Sequence, residues 1–138
     1  FASVIHPQIE IKTSEARAIL PKEIGLKEAI VQWANLGAFV AGLAKGDYDL
    51  LARSMVDGIV EPARKFLLPK FDEVKAASLG AGALGGGISG SGPSIFMLSR
   101  TRETADAVAR SMSEVYSQTD IKFHTYVSPI ASNGVTVR

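Results

Sequence analysis

Apolar positions recur at helical spacing in two long stretches of the chain. The first stretch contains Leu26, Ala29, Ile30, Trp33, Leu36, Val40 and Leu43. The second contains Ala105, Val108, Ala109, Met112, Val115 and Tyr116. Spacings of three and four place these side chains on one face of an α-helix. The pattern therefore predicts a long, buried central helix with Trp33 and Phe39 in the core, and a second helix, capped by Thr101, whose Met112 and Tyr116 are also core residues.

Four shorter segments have the alternation or composition of β-strands. Their positions are 9–11 after Pro7, 94–98, 121–127, and 135–137 after an Asn133-Gly134 turn. Alternating apolar and polar residues indicate a strand with one buried face, and a short apolar run indicates a strand buried on both faces.

Short helices are predicted between these strands. Thr13 or Ser14 can cap a helix that runs to Leu20, and Gly46 can end the long helix before Asp47 caps the next one. Two more helices are indicated by Glu61-Pro62 and by the segment 71–79. Helices grouped together and strands joined by short connections favour an α+β two-layer domain, with helices on one face of a mainly antiparallel sheet.

Composition favours one globular domain over residues 1–138 and excludes several classes of function. With 46% hydrophobic and 21% charged residues and a net charge of +1, the chain has no electrostatic pattern for nucleic acid or an anionic membrane. The apolar segment 29–44 is shorter than the roughly 20 residues of a membrane span. The absence of cysteine excludes disulfides and thiolate catalysis and agrees with a cytoplasmic location. Two histidines cannot form a metal site alone, and because the chain begins with Phe1 and has no export leader, we expect a fragment or a processed piece.

Seven of the thirteen glycines lie between Gly80 and Gly92. Such a run can gather backbone N–H groups into a concave nest for phosphate oxygens. It is not a dinucleotide-binding loop, because Pro93 and an apolar strand follow where a helix is required, and it is not a P-loop, because Ser91 stands in place of lysine. The alternative is a hairpin whose glycines only permit two strands to pack closely.

The wording of this segment resembles a known family. The run from Gly86 to Ser94, GGISGSGPS, followed by an apolar strand, is similar to the third conserved motif of the GHMP kinases. The segments Thr13–Pro21 and Val60–Pro69 resemble the homoserine kinases, one branch of that family. The resemblance implies a ferredoxin-like C-terminal domain, with the ATP-binding N-terminal domain outside this chain. The second motif of the family, P-x-x-x-G-L-G-S-S-A, is not present, since Gly25-Leu26 is followed by Lys27.

The resemblance also implies an activity and a set of site residues. Homoserine kinases transfer the γ-phosphoryl of ATP, with Mg²⁺, to the side-chain hydroxyl of L-homoserine in threonine biosynthesis, giving O-phosphohomoserine. Arg17 and Arg64 match the arginines that bind the substrate carboxylate, and Thr13 matches a threonine near the reacting hydroxyl. The residues that would support the phosphate loop are Gly86, Gly87, Ser89, Gly90, Ser91 and Gly92. No catalytic or metal-binding residue is assigned to this chain; its partners would be its own N-terminal domain, which would hold most of the ATP and Mg²⁺ contacts, and a second copy in a homodimer.

Two other functions remain open at this stage. One is a GHMP kinase with a mevalonate-type acceptor, and the other is a non-catalytic ferredoxin-like module that binds an amino acid and regulates a partner. Arginine suits an amino-acid ligand because its planar guanidinium donates two parallel hydrogen bonds to a carboxylate. The pair of arginines therefore favours an amino-acid substrate over a mevalonate-type one.

Overall fold

A computed structural model describes residues 1–135 of the chain as an α+β domain. In chain order the elements are β1 (Ala2–Pro7), α1 (Thr13–Ala18), α2 (Leu26–Lys45), α3 (Tyr48–Ser54), α4 (Val60–Arg64), a 3₁₀ turn (Lys65–Leu67), α5 (Phe71–Gly80), β2 (Gly85–Ile88), β3 (Ile95–Leu98), α6 (Arg102–Ser117) and β4 (Phe123–Ser128). The strands form one antiparallel sheet in the order β2-β3-β1-β4. The predicted fold class is confirmed. The strand predicted at 135–137 falls almost entirely outside the described residues.

The core lies between the sheet and helices α5 and α6. Inward residues of β1 and β3, among them Ile5 and Met97, are fully buried against the two helices. Met112 and Tyr116 of α6 are fully buried as predicted, and the predicted cap is present, since the Thr101 side chain accepts a hydrogen bond from the backbone N–H of Thr104. One face of the sheet is therefore closed by two amphipathic helices.

The first strand lies at residues 2–7, and the prediction of a strand at 9–11 is wrong. Two of the three inward positions of β1 are Ser3 and Pro7, so the apolar alternation is interrupted where the strand is most buried. Ser3 is accommodated because its hydroxyl donates to the carbonyl of Ala105 at 2.7 Å. The chain leaves the sheet after Gln8, and Ile11 packs against the edge of the core from a loop.

The boundaries of the first helices differ from the predictions in one place. Neither Thr13 nor Ser14 caps α1; Lys12 occupies the N-cap position without a side-chain hydrogen bond, and the helix ends at Ala18. Gly46 does end α2 in a left-handed conformation, with φ of 65°. Asp47 caps α3 by accepting a hydrogen bond from Leu50 N at 2.9 Å.

The prediction that α2 is buried is wrong. Trp33, predicted in the core, is 62% exposed, and Phe39 is only half-buried. Helix α2 packs mainly on α3, where Gly42 allows contact with Leu51: an added Cβ would lie 3.0 Å from Leu51 Cγ. Periodicity identifies a face that favours burial, but it does not identify what covers that face. No helix within residues 1–135 combines the length and apolar character needed to cross a membrane.

Candidate substrate site around the glycine turn

The glycine-rich segment forms the hairpin between β2 and β3, and its tip, residues 89–94, is called here the glycine turn. Ser89 N donates to Ser94 O at 2.8 Å, and Gly92 N donates to Ser89 O at 3.0 Å. Gly90 and Gly92 have φ values of 63° and 88°. These left-handed conformations are accessible to glycine at little cost, which explains why the turn needs glycine at both positions.

Gly86 and Gly87 lie in strand β2, and the prediction that they belong to a loop is wrong. Gly86 pairs with Met97 and Gly87 with Phe96 in the antiparallel ladder. A Cβ on Gly86 would overlap the carbonyl oxygen of Phe96, and one on Gly87 would lie 2.9 Å from Glu61 Oε2. In this half of the segment the glycines permit close packing of strands, which is the alternative stated above. Of the six predicted loop residues, only Ser89, Gly90, Ser91 and Gly92 form the turn.

Arg64 connects the glycine turn to helix α1. Its Nε donates to the carbonyl of Ala16 and its Nη1 to the carbonyl of Gly90, both at 2.9 Å. Arg64 stands in the last turn of α4 and is half-buried. Two of the five N–H groups of the guanidinium are held by these carbonyls, so three remain for another ligand. The result is a guanidinium with a fixed plane at the edge of the turn.

Helix α1 carries Thr13 and Arg17 one helical turn apart. Residues at i and i+4 lie on the same side of a helix. Thr13 Oγ1 is 3.4 Å from Ser91 Oγ, so the start of α1 contacts the glycine turn. Arg17 is exposed and follows Ala16, whose carbonyl holds Arg64. The structure thus brings Thr13 and Arg64 into direct contact with the turn and leaves Arg17 on the exposed part of the neighbouring helix.

Two further contacts around the turn were not predicted. His6 Nδ1 lies 2.8 Å from Ser94 Oγ and links β1 to the end of the turn. Lys75 of α5 donates to Glu61 of α4 at 2.5 Å, and both side chains are mostly buried, with 21% and 16% exposed. His6 and Ser94 are 88 residues apart in the chain, so no local pattern could have indicated this pair.

A cleft of about 280 Å³ adjoins the turn between α2, α3, α4 and β2. Its walls are mainly apolar, with Leu36, Phe39 and Met55 on one side and Gly90 at one end. Within the part of the chain that the structure describes, no group of three or more His, Asp or Glu side chains could hold a metal ion. The site therefore offers arginine, hydroxyl and backbone amide groups, which are suited to anionic ligands.

Comparison with known families places this arrangement. The family description "GHMP kinases C terminal" matches residues 39–118, which is more than half of the chain. The chain belongs to the GHMP kinase family. Its glycine turn lies within the matched region, whereas Thr13 and Arg17 precede it.

Curated relatives cover nearly all of this GHMP kinase chain. A homoserine kinase from Chlorobium phaeobacteroides is 48% identical over 139 residues, covering 99% of this chain and 43% of the relative. A homoserine kinase from Pyrococcus abyssi is 37% identical, covering 91% of this chain and 42% of the relative. The chain thus spans less than half the length of the curated relatives that it matches.

Solved structures agree with the GHMP kinase fold. The crystal structure of homoserine kinase from Cytophaga hutchinsonii matches with a TM-score of 0.92 and 51% identity, over 94% of this chain and 41% of that chain. The mevalonate kinase of L. major, in complex with R-mevalonate, matches with a TM-score of 0.59 at 17% identity, over 95% of this chain and 43% of that chain. At that identity the second match shows a shared fold alone.

Proposed function

We propose that this chain is the C-terminal part of an ATP-dependent kinase that phosphorylates the side-chain hydroxyl of L-homoserine. The similarity to proteins named homoserine kinase, at 48% and 51% identity, supports this assignment. The single observation that carries it is the position of Arg64, whose guanidinium is fixed between α1 and the glycine turn. A fixed guanidinium at this turn suits an acceptor that carries a carboxylate.

Arg64 and Arg17 bind the α-carboxylate of the substrate in this proposal. A guanidinium whose plane is already fixed loses less conformational freedom when it forms two parallel bonds to a carboxylate. Arg17 contributes a second positive charge from the same side of α1 as Thr13, and Thr13 lies near the reacting hydroxyl. Because the carboxylate is remote from the reaction, these residues position the acceptor and do not take part in the chemistry.

The glycine turn shapes the place where acceptor and phosphoryl group meet. Phosphoryl transfer depends mainly on positioning the two reactants and on stabilising charge on the phosphoryl oxygens. Ser89, Gly90, Ser91 and Gly92 contribute hydroxyl and amide groups close to Arg64 and Thr13. ATP is bound mainly by the N-terminal domain of the longer protein. The described residues offer no three-ligand metal site, so we assign no step through Mg²⁺ to this chain.

The expected product is O-phosphohomoserine, and the reaction belongs to threonine biosynthesis in the cytoplasm. The two alternatives differ in what the complete protein would turn over. A mevalonate-type kinase would phosphorylate mevalonate and not homoserine. A regulatory module would bind an amino acid without releasing ADP. A coupled ADP-release assay of the complete protein with each acceptor distinguishes all three.

The test of the site uses Arg17→Ala and Arg64→Lys in the complete protein. We expect each variant to raise the KM for homoserine at least tenfold and to change the KM for ATP less than twofold, since a charge-assisted hydrogen bond contributes about 1.5–3 kcal/mol. Arg17 makes no bond to the turn, so its substitution leaves the hairpin intact. Arg102→Lys, an exposed arginine paired with Asp106 on α6, is the matched control. Equal changes in both KM values would remove the carboxylate role from these arginines.

A further inference from the structure

Helix α2 presents an uncovered apolar seam to solvent. The seam consists of Leu26, Ile30, Trp33, Gly37, Val40 and Ala44, and all six residues are exposed. Trp33 is 62% and Leu26 is 70% exposed. The only charged residues of α2 lie in its first and last turns, at Lys27, Glu28 and Lys45. The opposite side of the helix is already packed on α3 through Gly42 and Leu51.

The spacing of the seam indicates the kind of partner that it fits. Successive members are four, three, four, three and four residues apart. This alternation averages 3.5 residues and is the pattern by which one helix packs along another with knobs-into-holes contacts. A flat or irregular partner would not use the alternation. We therefore looked for a helix that matches this sequence of large and small residues, and α2 itself is one.

We propose that a second copy of this chain covers the seam, with the two α2 helices antiparallel and centred on position 35. Each member of the seam then faces another member of different size. The facing pairs are Leu26 with Ala44, Ile30 with Val40, and Trp33 with Gly37. The largest side chain thus meets the position without a side chain, and an added Cβ at Gly37 has no neighbour within 4 Å in the single chain.

The alternatives fit the seam less well. A parallel pair would place Trp33 against Trp33 and Gly37 against Gly37, which gives a clash and a void along the same contact. In the antiparallel pair Leu36, which is 63% exposed, also faces its own copy beside the seam. The exposed apolar area is on the order of 700 Å² per chain, close to the ~800 Å² per partner of a standard stable interface. This surface is separate from Arg64 and the glycine turn, so the inference does not rest on the proposed function.

The first test is the association state of the chain in solution. We expect the 138-residue chain to sediment as a dimer at tens of micromolar. Val40→Glu, which would bury two carboxylates against Ile30 of the partner, should give a monomer. Phe66→Glu is the matched control, because Phe66 is 82% exposed on the 3₁₀ turn and lies outside the seam. Trp33 is the one tryptophan of the chain, and its emission should shift to shorter wavelength as the dimer forms.

The second test fixes the orientation and does not depend on the fold of a charged variant. The chain has no cysteine, so a single Ala→Cys substitution gives a unique thiol. In the antiparallel pair two Ala34→Cys thiols lie roughly 10 Å apart and should be joined by a bismaleimide of that length. Two Ala44→Cys sites lie about 27 Å apart along the axis and should not be joined. Ala76→Cys, an exposed alanine of α5, reports random collision.

Several results would overturn the proposal. They are a monomeric chain, a dimer that survives Val40→Glu, or cross-linking at Ala44 in place of Ala34. The same Ala34→Cys substitution in the complete protein tests another occupant. Protection of that thiol in a monomeric complete protein would mean that the rest of the polypeptide covers the seam, and the proposal would then be wrong.

Discussion

Tyr116 shows how one buried side chain connects the core to the surface loops. Its ring is fully buried and lies 5.8 Å from the ring of Phe123, and its hydroxyl donates to the carbonyl of Pro69 at 2.6 Å. Burial raises the pKa of the Tyr116 phenol to about 12, because the ionised form would lose its hydration. The neutral hydroxyl therefore stabilises the folded chain up to strongly alkaline pH.

A pH-dependent loss of stability follows from that pKa. Below about pH 10, the ordinary value for tyrosine, folded and unfolded chains both hold the proton. Between pH 10 and 12 the unfolded chain loses the proton while the folded chain retains it, so the free energy of unfolding falls. Tyr116→Phe removes this titration and should cost about 1 kcal/mol at pH 7, because the hydrogen bond to Pro69 is lost.

Urea unfolding of both proteins at pH 7, 9 and 11 measures the effect. The advantage of the wild type over Tyr116→Phe should be constant from pH 7 to 9 and smaller at pH 11. The titration of Lys and of the other tyrosines is common to both proteins and cancels in the difference. A difference that stays constant up to pH 11 would mean that Tyr116 titrates alike in the folded and unfolded chains.

Residue types in the site could be predicted, but their partners could not. The sequence indicated Arg64 as a ligand for an anion, and the structure adds the two carbonyls that hold it. Those carbonyls belong to Ala16 and Gly90, which are 48 and 26 residues away in the chain. Thr13 was predicted to cap α1, yet its hydroxyl contacts Ser91. Contacts at such separations depend on the sheet order, which local patterns do not specify.

At the scale of elements, the β2–β3 hairpin depends on the missing side chain of Gly86. Gly86→Ala should destabilise the chain by at least about 2 kcal/mol, because the added methyl group overlaps the carbonyl of Phe96 and the backbone must move. Urea unfolding at pH 7 measures the loss. The methyl group faces backbone atoms and cannot be accommodated by a side-chain rotation.

Gly80→Ala is the matched control for that prediction. Gly80 ends α5, and an added Cβ there meets nothing within 4 Å. Because alanine restricts the unfolded chain more than glycine does, this variant should equal or exceed the wild type, by up to about 1 kcal/mol. Similar stability for the two alanine variants would show that strand β2 can shift away from β3 at little cost.

Helices α2 and α6 have similar periodicity in the sequence and different environments in the structure. The bounds of both could be predicted closely from apolar spacing, Gly46 and Thr101. Only α6 lies on the sheet, however, and the apolar stripe of α2 remains exposed at Trp33. Strand β1 shows the opposite case, since Ser3 and Pro7 stand at buried positions and hide its pattern. Hydrophobic patterning reports which faces favour burial, and tertiary contacts decide which are buried.

At the scale of the whole molecule, the sheet order explains how the candidate site is assembled. The first strand lies in the middle of the sheet between β3 and β4. This position carries α1, which follows β1, to the turn between β2 and β3, so that Thr13 meets Ser91. Arg64 of α4 then closes the contact from a third segment. The site is therefore built from three parts of the chain that only the complete fold brings together.

A site built in this way predicts that the 138-residue chain binds no nucleotide productively by itself. Rapid phosphoryl transfer requires the hydroxyl and the γ-phosphoryl to be held together in line. The chain supplies the proposed acceptor site but has no motif of the form P-x-x-x-G-L-G-S-S-A for the nucleotide. Homoserine-dependent ADP release by the chain alone should therefore be at background in a coupled assay.

Adding the remainder of the longer protein as a separate polypeptide should restore that ADP release. The activity should depend on both pieces and be lost again when the chain carries Arg64→Ala, whereas Arg102→Lys should support it fully. Circular dichroism of each variant establishes that the added chain is folded. Homoserine-dependent turnover by the chain alone would mean that residues 1–138 contain a nucleotide site, and the division of labour between two domains would be wrong.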